Sequence, residues 1–392
     1  MPMLSVAQTA DTLTDNASGR TIHKIEIEAL PSVVLHTNEY LRGINSERRT
    51  MNHAFSARLK YAFQAAPGSL EAKIYKGTYQ GLGVAYHDFN PQLSNPISIF
   101  IYQGSKIASI AKRISFNYEW NLGLTFGWKP YDHDTNPENR VIGSRVTAYI
   151  DADFYFNWMI SRWLDLNVGL SLTHFSNGNT KFPNAGLNIL GSKVGFAYYI
   201  HRDISTPAAN HHVVPPFQRH ICYNLVMYGA WRRRGVYSDD GQRAYALPGA
   251  YGVCGFNFNP MYNINHWLNA GVSLDGVYDH SANLKVKEQI IPLGHNEYYG
   301  TFIAPSLSKQ IALGFSGRAE FVMPYFTINM GIGTNFINGK KDFKGIYELL
   351  ALKLNMTRNM FLHIGYSLND FKNPNHLMLG LGYRFHNKRS IR

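Results

Sequence analysis

Long apolar runs are missing from this sequence. Their absence rules out a membrane-spanning helix, which needs about 20 consecutive, mostly apolar residues. Charged side chains are also scarce, at 16% of 392 residues, where a soluble domain carries about 25%. Cysteine occurs only as Cys222 and Cys254. Two thiols are too few for a disulfide framework and wrongly spaced for a metal site, and the sequence leaves their pairing open. Helical periodicity is weak throughout. The first residues, MPMLSVAQTADTLTDNASGR, lack the basic start and full apolar core of a secretory signal. Residues 1–20 therefore read as a disordered segment or the remnant of a signal.

What the chain does have is apolar and aromatic. Apolar residues make up 45% and aromatics 14%, mostly Tyr and Phe, with 34 glycines among them. Rings spread through short alternating segments suit a β-barrel in a bilayer, apolar side chains facing lipid and aromatics at the interfaces. A soluble all-β protein is the bland alternative. The formal charge of +12 comes without any nucleic-acid motif, and the basic residues lie in scattered loops. An anionic membrane surface or a phosphorylated lipid is the better partner, although any single Lys or Arg can equally be a solvated surface group.

Period-two alternation with turn punctuation places strands at 24–37, 50–64, 78–89, 96–105, 112–128, 143–159, 163–176 and 188–202. A second set falls at 217–232, 246–259, 264–279, 308–322, 324–336, 345–356, 359–370 and 376–386. The expectation is an all-β chain: an antiparallel transmembrane β-barrel of about 14–16 strands. In HLMLGLGYRFH, residues Leu377, Leu379, Leu381, Tyr383 and Phe385 face one way, an apolar-out strand. The two sets look like a duplicated eight-stranded unit: LNVGLSLTHFSN at 166–177 aligns with LHIGYSLNDFKN at 362–373. The second copy carries Asp370 and Lys372 where the first carries His174 and Ser176. The expected organisation is a half at 21–203 and a degenerate half at 204–392, closed together as one ring. The Pro-rich stretch 203–217 joins them, and its adjacent His211 and His212 read as solvated, with no ligand set nearby. The stretches 129–140 and 281–300 suit long extracellular loops.

One stretch carries chemistry: LSLTHFSNGNTKFPNAGLN, residues 170–188. Side chains alternate faces along a strand. Leu164, Leu166, Val168, Leu170, Leu172, His174 and Ser176 therefore share a face, opposite Asp165, Asn167, Ser171 and Thr173. In the next strand Asn188 has the parity of Leu190, Val194, Phe196 and Tyr198. The three polar residues are expected at the rim of the lipid-facing surface, around one hairpin. Polar groups facing hydrocarbon are costly unless paired. A Ser–His–Asn relay supplies a reason for placing them there. His174 would take the proton of Ser176, Asn188 would hold the imidazole tautomer, and Ser176 would attack an ester carbonyl. The amide of Asn177 and the N–H groups of the Gly178 turn would hold the oxyanion. A nucleophile facing outward meets membrane lipid. The plainer explanation is that strand ends reach the headgroup region, where His, Ser and Asn cost little.

HFSNG followed by PNAGLN resembles the signature of outer-membrane lipid A deacylases of the PagL type. That resemblance implies Ser, His and an acidic residue removing an ester-linked acyl chain. The family's acid lies fourteen residues beyond the histidine, where this chain has Asn188; Asn carries no charge to stabilise an imidazolium. The motif is also similar to outer-membrane phospholipase A, which has His-x-Ser-Asn-Gly with Asn at that distance and works as a calcium-dependent dimer. The loop from Asn177 to Asn188 holds no carboxylate, so neither calcium nor any other metal or cofactor is expected. The expected function is an outer-membrane lipid esterase acting on lipid A, with its site at the extracellular leaflet. The alternatives are a phospholipase A and a non-enzymatic channel or scaffold. Arg232, Arg233 and Arg234 in WRRRG offer contacts to lipid phosphates, or are simply solvated.

Overall fold

In a computed structural model of the chain, residues 20–67, 69–75, 77–202, 214, 216–233, 235–237, 244–246, 249–293, 295–338, 341–371 and 373–386 are described. The N-terminal segment, the His211–His212 pair, Arg234 and Lys372 lie outside them.

The first unit is built from β1 (Ile22–Val34), β2 (His53–Gln64), β3 (Tyr79–Asp88), β4 (Ile97–Ala111), β5 (Ile114–Phe126), β6 (Val146–Met159), β7 (Leu164–Ser176) and β8 (Leu187–Ile200). A short helix, α1 (Leu70–Ile74), sits between β2 and β3. Neighbours in sequence pair antiparallel, and β8 returns to β1, from His23↔Ile200 to Val34↔Ile189, to close the barrel. The second unit holds β9 (His220–Arg232), β12 (Tyr251–Asn263), β13 (Leu268–Asp279), β16 (Ile311–Val322), β17 (Phe326–Ile337), β18 (Ile346–Asn355), β19 (Met360–Asn369) and β20 (Asn373–His386). It closes where β20 meets β9. Two-stranded ribbons, β10 (Gly235–Tyr237) with β11 (Ala244–Ala246) and β14 (Lys285–Leu293) with β15 (His295–Ile303), extend from its connections. The stretch 281–300, expected as a plain loop, is therefore largely hairpin.

The expected strands are present, but they close as two rings of eight rather than one of sixteen. The reason lies in what fills the lumen. Eight strands leave an interior just wide enough for side chains, and here they meet across it. Lys60 Nζ lies 2.5 Å from Glu28 and 2.6 Å from Glu119. Lys193 Nζ is 2.7 Å from both Glu28 and Asp153, and Arg58 is 2.7 Å from Asp151. In the second barrel Arg318 pairs with Asp275 at 2.7 Å and Lys353 with Glu320 at 2.5 Å. Lys60–Glu28, Lys193–Glu28 and Arg318–Asp275 brace neighbouring strands, while Lys60–Glu119, Lys193–Asp153 and Arg58–Asp151 join strands that are not paired, and a wider ring would pull these apart. Polar residues point in and apolar ones out: Ile27, Leu59, Leu82, Ile99, Phe154 and Leu170 are all exposed. Closure pairs each barrel strand on both sides and leaves the two barrels no sheet edge, and the apolar outer face suits hydrocarbon. Both cysteines are free thiols, Cys222 buried and Cys254 exposed.

The connections 35–52, 89–96, 127–145 and 177–186 gather at one end of the first barrel. They interlock: Ser46 Oγ donates to Gln92 Oε1 at 2.7 Å, Asn136 Nδ2 to Gln92 O at 3.3 Å, and Lys129 N to Leu93 O at 3.1 Å. Beneath them Tyr40, Leu41, Phe89, Leu93, Trp128, Val141, Ile142, Phe175 and Leu187 form one apolar plug. Burial pushes the Tyr40 phenol pKa up, keeping it protonated. A lumen crossed by ion pairs and stoppered by aromatics is not a pore, which argues against the channel alternative for this barrel.

Arg58→Met should lower the unfolding free energy by about 3–5 kcal/mol, because Glu28, Asp151 and Asp153 lose a shared buried cation. Leu59→Met, on the lipid face, should cost less than about 1.5 kcal/mol. Urea titration in lipid vesicles measures both, and equal effects would show that the network does not stabilise the barrel.

Candidate active site

Strand alternation and register build the site. On β7, Asp165, Asn167, Ser171, Thr173 and Phe175 are buried, while Val168, Leu170 and Leu172 are exposed. His174 and Ser176 carry the outward parity. Phe175 between them is fully buried in the plug, so the end of the strand is anchored from inside while its neighbours face out. The β7–β8 ladder sets His174 directly opposite Asn188, and directly opposed residues have side chains in contact. His174 Nδ1 and Asn188 Oδ1 lie 2.7 Å apart. A carbonyl oxygen can only accept, so Nδ1 carries the proton and Nε2 is left with its lone pair. On the other flank, β6 sets Ile150 opposite His174 and the small Ala148 opposite Ser176. His174 and Asn188 are half-buried.

Ser176 ends β7 and is 8% exposed, less open than its parity implies. Among the described contacts it makes no hydrogen bond to His174. The structure thus joins His174 to Asn188 but not to Ser176. Catalytic hydrogen bonds are often long in the absence of substrate and tighten when it binds.

The following turn is held by a residue to which the sequence reading gave no role. The backbone N–H of Asn177 donates to Asn184 Oδ1 at 2.9 Å, clamping the neck of the 177–184 loop. Gly178 takes a left-handed φ of +61°. Gly186 is also informative, because a Cβ there would lie 2.9 Å from His174 Cε1. Both residues sit inside PNAGLN, and their spacing before Asn188 was the available signal.

The arginines divide. Arg232, expected to reach lipid phosphates, instead points into the second barrel. It is buried, pairs with Asp279 at 2.5 Å and donates to Asn375 Oδ1 at 2.9 Å. As the last residue of β9 it has the inward parity. Arg233 is exposed. In the second copy of the motif, Asp370 lies just past β19 with φ +53°, its carboxylate accepting the Ile346 N–H at 3.1 Å. It is a turn residue. Glu28, Glu119 and Asp153 converge inside the first barrel, but Lys193 sits among all three, its ammonium standing where a cation would.

Two stretches of the sequence match family models: residues 55–197 match lipid A 3-O-deacylase (PagL), and residues 221–387 match the C-terminal domain of acyloxyacyl hydrolase (PagL_C). No curated protein matches the chain. Among solved structures it is similar to the siderophore receptor PirA from Pseudomonas aeruginosa, at 7% identity over 94% of this chain and 81% of that one, TM-score 0.24. It is also similar to the outer-membrane protein Omp33 from Acinetobacter baumannii, at 8% identity over 93% and 99%, TM-score 0.16. Likenesses this faint carry no argument.

The Nδ1–H tautomer has a direct check. Nitrogen NMR of labelled His174 should show a protonated Nδ1 and a bare Nε2 at neutral pH, and Asn188→Leu should mix the two tautomers. A mixed spectrum in the parent protein would break the pairing.

Proposed function

Since the chain belongs to the PagL lipid A deacylase family, we propose that it removes an ester-linked acyl chain from lipid A through Ser176, His174 and Asn188. The ester we propose as the target is the one at the 3-O position, after the name of the matched family. The observation that carries this reading is the 2.7 Å contact between His174 and Asn188 on the outward face of β7 and β8, two residues from the only serine of the HFSNG motif.

In this mechanism Ser176 Oγ attacks the ester carbonyl as its proton passes to His174 Nε2. The oxyanion is held by the Gly178 N–H and by Asn177. The Asn177 N–H is engaged by Asn184, so its contribution would come from the side-chain carboxamide. Collapse breaks the bond to the sugar oxygen, which leaves as an alcohol with the proton from Nε2. Water, deprotonated by His174, then cleaves the acyl-enzyme and releases the fatty acid. Asn188 fixes the tautomer but brings no negative charge, a weaker support for the imidazolium than a carboxylate.

The substrate comes to the site from the bilayer. The exposed apolar flanks of β6, β7 and β8 admit acyl chains, and the chemistry faces them. We place the barrel in the bacterial outer membrane with the site at the outer leaflet, because the site end carries the longer loops. At the opposite end, β4 joins β5 through Lys112 and Arg113 alone, and long loops are the extracellular ones in such barrels. Exposed Arg233 is the remaining candidate for a phosphate contact. Asn188 also keeps phospholipid in view, since phospholipase A has an Asn there.

Mass spectrometry of lipid A from cells expressing the protein should show loss of one acyl chain. Ser176→Ala and His174→Ala should each restore full acylation. Unchanged lipid A in every strain, with the barrel inserted, would refute the reading; calcium-dependent cleavage of phospholipid instead would transfer the site to that substrate. Asn188→Leu should lower kcat by about 10–100-fold with KM within about twofold, because the imidazole loses the contact that fixes its tautomer; an unchanged kcat would remove Asn188 from the relay.

A further inference from the structure

We propose that Gly186 is a positioning residue for His174, and that the 139–142 segment sets the imidazole through it. The inference rests on the reading of Ser176 and His174 as nucleophile and base.

The ring has two edges to be fixed. Asn188 holds Nδ1. At Cε1, between the two ring nitrogens, the backbone of Gly186 closes in. A Cβ at this position would lie 2.9 Å from His174 Cε1, 3.6 Å from Nε2 and 3.3 Å from the Phe175 carbonyl oxygen. Carbon atoms in contact normally stand about 3.5–4.0 Å apart, so any side chain here overlaps the imidazole. The φ of +75° adds a second demand for glycine.

When a side chain is forced in, either the wall or the ring must yield, and the wall is the firmer. Gly186 N–H donates to Val141 O at 3.1 Å, and Ala185 N–H to Arg140 O at 3.1 Å. Val141 and Ile142 are fully buried in the plug. Their segment is pinned by Asn139, also fully buried. Its Oδ1 accepts from Val141 N at 3.1 Å and Ile142 N at 3.0 Å, and its Nδ2 donates to Lys129 O at 3.1 Å. Two residues past Gly186, the Asn188 carbonyl accepts from Leu35 N at 2.9 Å. Against this bonded backbone stands a ring held by one hydrogen bond. The ring therefore moves, and Nε2 is displaced from the position that proton transfer from Ser176 would need, while the outer face that receives acyl chains is unchanged.

The test uses full-length protein in detergent, with lipid A as substrate and a fluorophosphonate probe that labels an activated serine. Gly186→Ala should lower kcat by about 10–100-fold with KM within about twofold, as expected for a misplaced base, and should slow labelling in proportion. Gly127→Ala is the control. It carries the same kind of backbone strain, with φ +95°, but its Cβ would meet nothing nearer than Pro96 Cα at 3.7 Å, and its kcat should stay within about twofold of the parent. Wild-type kcat and labelling in Gly186→Ala would overturn the proposal, and so would an equal loss in Gly127→Ala. If Gly186→Ala does not fold, Asn139→Ala loosens the same wall. A fall in its kcat at constant KM supports the proposal, and an unchanged kcat overturns it. A parent protein that neither deacylates lipid A nor reacts with the probe would instead remove the nucleophile and base themselves, a distinct result that takes this inference with it.

Discussion

A sheet in hydrocarbon has to pair every backbone N–H and C=O within itself, because no water is there to do so. The rest of this molecule follows from that requirement. Closing β8 onto β1 after eight strands removes the edges, and it also fixes the width of the lumen. Arg58, Lys60 and Lys193 then reach Asp151, Glu119 and Asp153 on strands they are not paired with, and Lys60 also holds Glu28 on the adjacent strand. Charges that would be prohibitive if isolated become a cross-braced interior, and all apolar side chains of the outward parity are left for lipid.

The same two-residue period that sorts these faces also builds the site. Phe175 faces in and joins the plug; His174 and Ser176 carry the opposite parity, His174 half-buried and Ser176 buried. An antiparallel ladder then decides which residue of β8 meets the histidine, and it selects Asn188. Slipping this pairing by one residue would set Leu187 or Ile189 opposite His174 and turn Asn188 into the barrel. Chemistry on the outer wall thus depends on the packing of the inner one. The loops at this end contribute by interlocking above the plug, so that the 139–142 backbone supports the chain running into Asn188.

The second barrel shows how little of this survives without the side chains. It has the same strand count, the same inverted polarity and its own ion pairs, Arg318–Asp275 and Lys353–Glu320. Where the first barrel has a histidine facing an asparagine, it has Asp370 capping a turn. Architecture was repeated and the His174–Asn188 pair was not.

The strand pattern, the apolar outward face and the pairing of His174 with Asn188 were legible in the amino-acid order, since alternation and parity are local properties that each residue carries with it. Four features were not. The ring number depended on which strand edges meet, a contact between residues more than 150 positions apart such as His23 and Ile200. The inward turn of Arg232 depended on Asp279 and Asn375 lying within its reach. The Asn184 clamp and the Gly186 wall depended on a loop folding back onto β7 and on the 139–142 segment behind it. Periodicity along the chain fixes the direction a side chain points; only closure in space fixes what it finds there.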